Sequence, residues 1–150
     1  MITKTNIADD RHQYSVAMPQ ETPLGQPVTV QSSERGDVHL MHAESPDQSE
    51  LYFEVTTYAE IVDHARLASE QRSFLGENAP DGELTAIAPA AIGRHSGTVF
   101  DFQGTLQGCW KVRRFLFVDG PHYSYRIVYD PTSALNHEIL ESLRVEPQGA

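Results

Sequence analysis

Residues 110–145, WKVRRFLFVDGPHYSYRIVYDPTSALNHEILESLRV, decide the fold. The stretch reads as strand, turn, strand, helix. Phe115, Leu116, Phe117 and Val118 are apolar at four successive positions. Successive strand side chains point to opposite faces, so such a run needs cover on both sides of a sheet. Asp119-Gly120, between two β-rich runs, is a hairpin signal. The next strand, Tyr123 to Tyr129, puts Tyr123, Tyr125, Ile127 and Tyr129 on one face. Asp130-Pro131 ends it. Thr132 or Ser133 then caps a closing helix with Leu135, Ile139 and Leu143 on its apolar face.

Upstream of that stretch, Thr98 to Leu106 (TVFDFQGTL) alternates, and Gln107-Gly108 turns it into the strand Cys109 to Val118. Three strands in succession make an antiparallel meander. Leu84 to Ala88 reads as a modest strand and Pro89 to Gly97 as a bend. A first helix is expected to start at Thr57, where Thr57 and Glu60 have capping-box spacing. Ile61, Ala65, Ala68 and Leu75 would form its apolar stripe, and Gly76 its left-handed C-cap. Leu51 to Thr56 is the strand that leads into it. Shorter strands are expected at His12–Met18, Val28–Gln31 and Val38–Ala43, with a turn at Ser32–Asp37 and a Pro-rich loop from Pro19 to Pro27. Residues 1–11 read as a flexible segment, 12–145 as a single domain and 146–150 as a tail. The sum is an α+β chain: an α/β/α sandwich with a central antiparallel sheet of about six to seven strands and two main helices.

Composition bounds the function classes. The chain has 150 residues, 39% apolar and 21% charged, the profile of one globular domain. A domain of this size buries roughly 70% of the surface its unfolded chain exposes. The formal charge is −10. An acidic surface repels phosphate backbones and anionic membranes, so neither nucleic acid nor membrane insertion is expected. Cys109 is the single cysteine, so no intrachain disulfide can form. The first residues hold no apolar run of signal-peptide length, and a cytoplasmic location is the default if Met1 is the native start.

Seven histidines invite a metal reading. His39 and His42, three apart in a strand, point to opposite faces and do not share an ion readily. His64 with Glu60, and His137 with Glu138 and Glu141, sit on helices without the third and fourth ligands that a zinc site needs. Cys109 reads as a small buried hydrophobe opening an apolar strand rather than as an activated thiol. The glycines at 93, 97, 104 and 108 are too spaced for a phosphate loop. No catalytic, cofactor-binding or metal residue is assigned, and no cofactor is expected. Lys111, Arg113 and Arg114 form a basic cluster that Arg126 can join from the neighbouring strand. These four are the candidate partner or anion contacts, set against simple cross-strand pairing with carboxylates.

The order of elements adds a resemblance. A short strand ends in Pro (HQYSVAMP). A strand leads into a long helix (LYFEVTTYAEIVDHARLASEQRSFL). An Ile92-Gly93 bend (AAIGRHSG) precedes three meander strands, with Asp-Gly-x-x-Tyr at 119–123, and the chain closes on ILESLRV. From His12 to Val145 this resembles the PsbP-like superfamily, which includes a photosystem II extrinsic protein, a Ran-binding nuclear import factor and many bacterial proteins. The resemblance implies an α/β/α sandwich. It implies no shared activity: the better-known members bind other proteins, and some bacterial relatives act as chaperones for secreted effectors.

The expectation is therefore a non-enzymatic domain that binds another protein, as adaptor or chaperone, through the sheet's open edge or the loop from Pro19 to Pro27. A homodimer through an edge strand is compatible with it. Two rivals stand beside it. One is a small-ligand carrier with a cleft lined by Trp110, Tyr123 and Tyr125. The other is a metal-dependent enzyme, which would need three imidazole or carboxylate groups to converge.

Overall fold

The computed structural model describes residues 4–146. Its centre is an eight-stranded antiparallel sheet. In chain order the elements are β1 (Lys4–Asp9), β2 (Tyr14–Pro19), β3 (Thr29–Arg35), β4 (Val38–Glu44), β5 (Tyr52–Thr57), α1 (His64–Asn78), β6 (Glu83–Leu84), β7 (Ala88–Ile92), β8 (His95–Leu106), β9 (Cys109–Asp119), β10 (Ser124–Tyr129) and α2 (Ala134–Ser142). The sheet runs β3-β4-β5-β10-β9-β8-β6, with β7 also paired to β8, while β1 and β2 form a separate two-stranded hairpin. The sheet thus has more strands than the sequence suggests, because Pro89 to Gly97 is not one bend: β7 and the start of β8 flank a turn at Gly93-Arg94. Gly97 lies within β8, where a Cβ would collide with the Phe117 carbonyl oxygen of β9.

The run Phe115–Val118 lies mid-sheet and is covered on both sides. Phe115 and Phe117 join Phe100, Phe102 and Val128 beneath Leu67, Ala68 and Leu75 of α1. Leu116 and Val118 join Phe53, Val55, Tyr125 and Ile127 on the opposite face. There α2 contributes Leu135 and Ile139, and the hairpin contributes Tyr14, Val16 and Met18. The second layer is therefore a helix and a hairpin side by side. Bonds between β2 and the chain after α2 join them: Ser15 and Arg144 exchange backbone hydrogen bonds of 2.9 Å each way.

Several local expectations fail. Residues 32–35, read as part of a turn, continue β3 because they pair with β4 as far as Val38. Cys109, read as buried, is exposed next to the β8–β9 turn. Residues 4–9, read as part of a loose terminus, form β1, in register with β2 from Lys4 opposite Pro19 to Asp9 opposite Tyr14. Tyr125 holds the far end of this hairpin, its hydroxyl donating to the carbonyls of His12 (2.6 Å) and Gln13 (3.0 Å). Apart from Glu146, the expected tail lies outside the described residues, as do residues 1–3. The first helix starts at His64, not Thr57. Thr57 stays in β5 between His39 and Tyr125. Cross-strand pairing there outweighs the capping-box spacing, and the strap that follows is tied down by Ser124, whose Oγ accepts the Val62 amide at 2.8 Å. Asp63 is the N-cap, accepting the Ala65 amide at 3.1 Å. Ile61 is consequently exposed. The helix runs through Gly76 and ends before Pro80, whose ring disfavours helix at the preceding residue.

Candidate functional site

The sheet divides the four basic residues between its two faces. Lys111, Arg113 and Arg126 project to the α1 side of the sheet and Arg114 to the α2 side. Each charged head has a partner within the chain. Lys111 Nζ and Arg113 Nη2 both donate to Gln48 Oε1, at 2.8 and 2.6 Å. The Arg113 guanidinium also stacks 4.2 Å from the centre of the Tyr52 ring, where burial holds its pKa below the usual arginine value. Arg114 grips Asp101, its cross-strand neighbour, with two bonds of 2.7 and 2.9 Å. Arg126 donates to Gln71 at 2.6 Å and lies 3.7 Å from Glu54. These charges lock neighbouring elements together rather than standing open to an anion.

The cleft suggested for a small ligand does not form from its three named residues. Tyr125 is wholly buried, while Trp110 is 61% exposed at the opposite end of β9. Trp110 lies eight strand residues from Val118, the β9 partner of Tyr125, a separation of roughly 26 Å.

Two clusters that the sequence reading passed over are assembled instead. The first lies where the tip of the β1–β2 hairpin meets the sheet. Asp9 ends β1, and its two carboxylate oxygens accept the His12 amide (2.9 Å) and His12 Nδ1–H (2.7 Å) across the turn. His12 stacks on His39 of β4, ring centres 3.9 Å apart and planes 11° from parallel. Asp9, His12 and His39 each offer one ligand atom, and these atoms lie within 4.8 Å of one another. His39 stands directly across from Glu34 on one side and from Thr57 on the other. Arg11, beside His12 in the turn, pairs with Glu34 at 3.0 Å. A cleft of about 190 Å³ opens here, lined by Arg11, His12, Glu34, His39, Thr57 and Tyr58 among others.

The electrostatics of this cluster are uneven. Burial pushes the His39 imidazole below its ordinary pKa, and neighbouring His12 adds to the effect. Burial acts to raise the Asp9 carboxyl, but its hydrogen bonds from His12 outweigh this and hold it below the ordinary value. Two buried polar atoms at the cleft, His39 Nδ1 and Thr57 Oγ1, have no hydrogen-bond partner among the described residues. His39 is 9% exposed and Thr57 2%.

The second cluster, Asp63, His64 and Asp119, gathers at the start of α1. Asp63 caps the helix. Asp119 Oδ2 accepts the His64 amide at 3.3 Å, and Oδ1 accepts the Ser124 hydroxyl at 2.6 Å. His64 Nδ1 shares a 2.6 Å hydrogen bond with Thr98 Oγ1.

The sequence carried one signal for the first cluster, Asp9-x-x-His12, a spacing that brings both side chains to one side of a tight turn. The polar, aperiodic composition of residues 1–11 masks it. That His39 meets them is set by tertiary docking of the hairpin.

An antiparallel sheet between α1 on one face and α2 with a hairpin on the other is the PsbP-like fold. No family model and no curated protein matches the sequence. Solved structures do. Cyanobacterial PsbP (CyanoP) from Synechocystis sp. PCC 6803 superposes with a TM-score of 0.67 at 8% identity, covering 97% of this chain and 94% of that one. A protein from Bacteroides thetaiotaomicron VPI-5482 gives a TM-score of 0.57 at 11% identity. All of this chain matches there, spanning only 51% of the Bacteroides protein. At such identities the likeness establishes the fold and leaves function to the site. No helix among the described residues is long and apolar enough to cross a membrane.

Proposed function

We propose that this chain is a non-enzymatic protein-binding domain, an adaptor or chaperone, that takes an extended segment of its partner along strand β3. The observation that carries this reading is the contrast between the two edges of the large sheet. One edge is blunted: β6 has only two residues, and β7 contains Pro89. The other edge, β3, is seven residues long, TVQSSER, and exposed at every one of them. It has no proline and no lysine, and its charges come only at the end, Glu34 and Arg35. Unpaired amides and carbonyls along such a strand are a template for another strand, and natural proteins usually block them. On this reading the domain is cytoplasmic, and an edge-to-edge homodimer is the self-paired form of the same contact.

Proline scanning of the edge tests it. Adjacent strand residues alternate between amides that bond β4 and amides that face outward. Of Ser32→Pro and Ser33→Pro, one therefore removes an outward amide while leaving the β3–β4 pairing intact. The wild-type chain is expected to retain a stoichiometric partner from native lysate, or to run as a dimer in light scattering. The correctly folded proline variant is expected to lose it. A monomer without a partner, or a partner kept by that variant, overturns the reading.

A further inference from the structure

We infer that Asp9, His12 and His39 form a binding site for a single first-row transition-metal ion of the zinc class. Nothing in this depends on the β3 edge. Three donors of the right chemistry lie within 4.8 Å of one another, drawn from the hairpin tip and from β4, which only tertiary docking brings together. Two imidazoles and a carboxylate suit Zn²⁺, Cu²⁺ or Ni²⁺ far better than Mg²⁺ or Ca²⁺, which prefer oxygen. Three protein ligands beside a cleft leave a coordination position open to water. The cleft's volume of about 190 Å³ holds on the order of six waters at their liquid volume. That is room for a partly hydrated ion, and it falls short of a drug-sized ligand site.

The second, independent observation is His39 Nδ1. It is buried and partnerless among the described residues, and so is Thr57 Oγ1 across the strand pair. Leaving a buried polar atom unsatisfied is destabilising, so a fold that keeps two of them at one cleft has left bonding capacity there. The other members are already prepared. Asp9 Oδ2 and His12 Nδ1 already lie 2.7 Å apart; on loading, the His12 ring proton moves to Nε2 and the ion takes its place between Nδ1 and the carboxylate.

The stack defines what must move. Rings 3.9 Å apart and nearly parallel direct their lone pairs alongside one another rather than at one point. One ring must turn on loading. His12 is anchored through Asp9, whereas His39 Nδ1 gives up no hydrogen bond, so His39 is the ring that swings. The ion would then tie the hairpin tip to β4.

Equilibrium dialysis and calorimetry of the full chain, free of tag histidines, with Zn²⁺ test the assignment. One equivalent is expected, with a rise in thermal midpoint. Co²⁺ in its place is expected to give visible ligand-field bands. His39→Gln and His12→Gln should each weaken binding by more than about a hundredfold, and Asp9→Asn by about ten- to a hundredfold. His64→Gln should leave Zn²⁺ affinity and stoichiometry unchanged, and circular dichroism must show each variant folded. If His39→Gln does not fold, histidine ring resonances of the wild type give the same answer: those of His12 and His39 must shift together on Zn²⁺ addition as the stack opens. Absence of stoichiometric uptake, uptake unchanged in folded His39→Gln, or ring shifts confined to other histidines would each overturn the site.

Discussion

The two His/Asp clusters have nearly the same composition and opposite physical characters. At the start of α1, the fold uses the polar atoms of Asp63, His64 and Asp119. One carboxylate caps the helix, the other joins the β9–β10 hairpin to it, and the imidazole is bonded to Thr98. At the hairpin tip, Asp9 and His12 bond each other, but His39 meets them only by stacking, and its Nδ1 and the Thr57 hydroxyl are orphans. Proximity of ligating groups therefore does not distinguish a structural knot from a site. What distinguishes them is whether the hydrogen-bonding capacity has been consumed. Removing a consumed group must cost stability, whereas removing an orphan must not.

The largest effect is expected at Asp119. Asp119→Ala deletes a charge-assisted bond to fully buried Ser124 and the bond to the His64 amide. Urea denaturation should show a loss of about 3 kcal/mol. A loss below about 1 kcal/mol would mean this cluster is not structural and would erase the contrast. Asp9→Ala, measured in chelator, should cost about 1–2 kcal/mol. It removes both bonds to His12, but the hairpin tip keeps its two hydrogen bonds from the Tyr125 hydroxyl. A cost as large as that of Asp119→Ala would make the tip structural too.

What could be read in the sequence follows the same division between local and non-local causes. The doubly covered strand is legible because Phe115–Val118 carries its own evidence: four apolar residues in succession can only serve two faces. The closing helix is legible through its Ser133 cap, which accepts the Asn136 amide, and its Leu135, Ile139 and Leu143 spacing. The start of α1 was not legible. Thr57 and Glu60 have the right spacing for a cap, and nothing local reveals that Thr57 is claimed by His39 and Tyr125 on neighbouring strands. The Asp9–His12–His39 cluster was hidden for the same reason. Alternation correctly separates His39 from His42, but the partner of His39 comes from a hairpin 27 residues earlier, whose strand character is weak until Tyr125 and α2 hold it. Likewise the basic residues could be placed on their faces, yet that Gln48, not a carboxylate, receives both Lys111 and Arg113 depends on where the loop before β5 lands.

Thr98→Val sharpens the comparison from the helix side. Thr98 is 5% exposed, and its hydroxyl is the partner of His64 Nδ1. Deleting it should cost about 1 kcal/mol in the same denaturation measurement.

Thr57→Val is the matching change on the other side, and the smallest in size. Thr57 is as buried as Thr98, it lies on a strand, and valine keeps its β-branched shape. The difference is that its hydroxyl has no partner to lose. Replacing an orphaned buried hydroxyl by a methyl returns the desolvation cost, so the variant is expected to equal the wild type or to exceed it by up to about 1 kcal/mol. The same threonine-to-valine edit, placed on two buried strand positions of one sheet, should thus have opposite signs. If Thr57→Val instead destabilises by about 1 kcal/mol or more, the hydroxyl is engaged in solution, and the cleft beside His39 loses one of the two atoms that mark it.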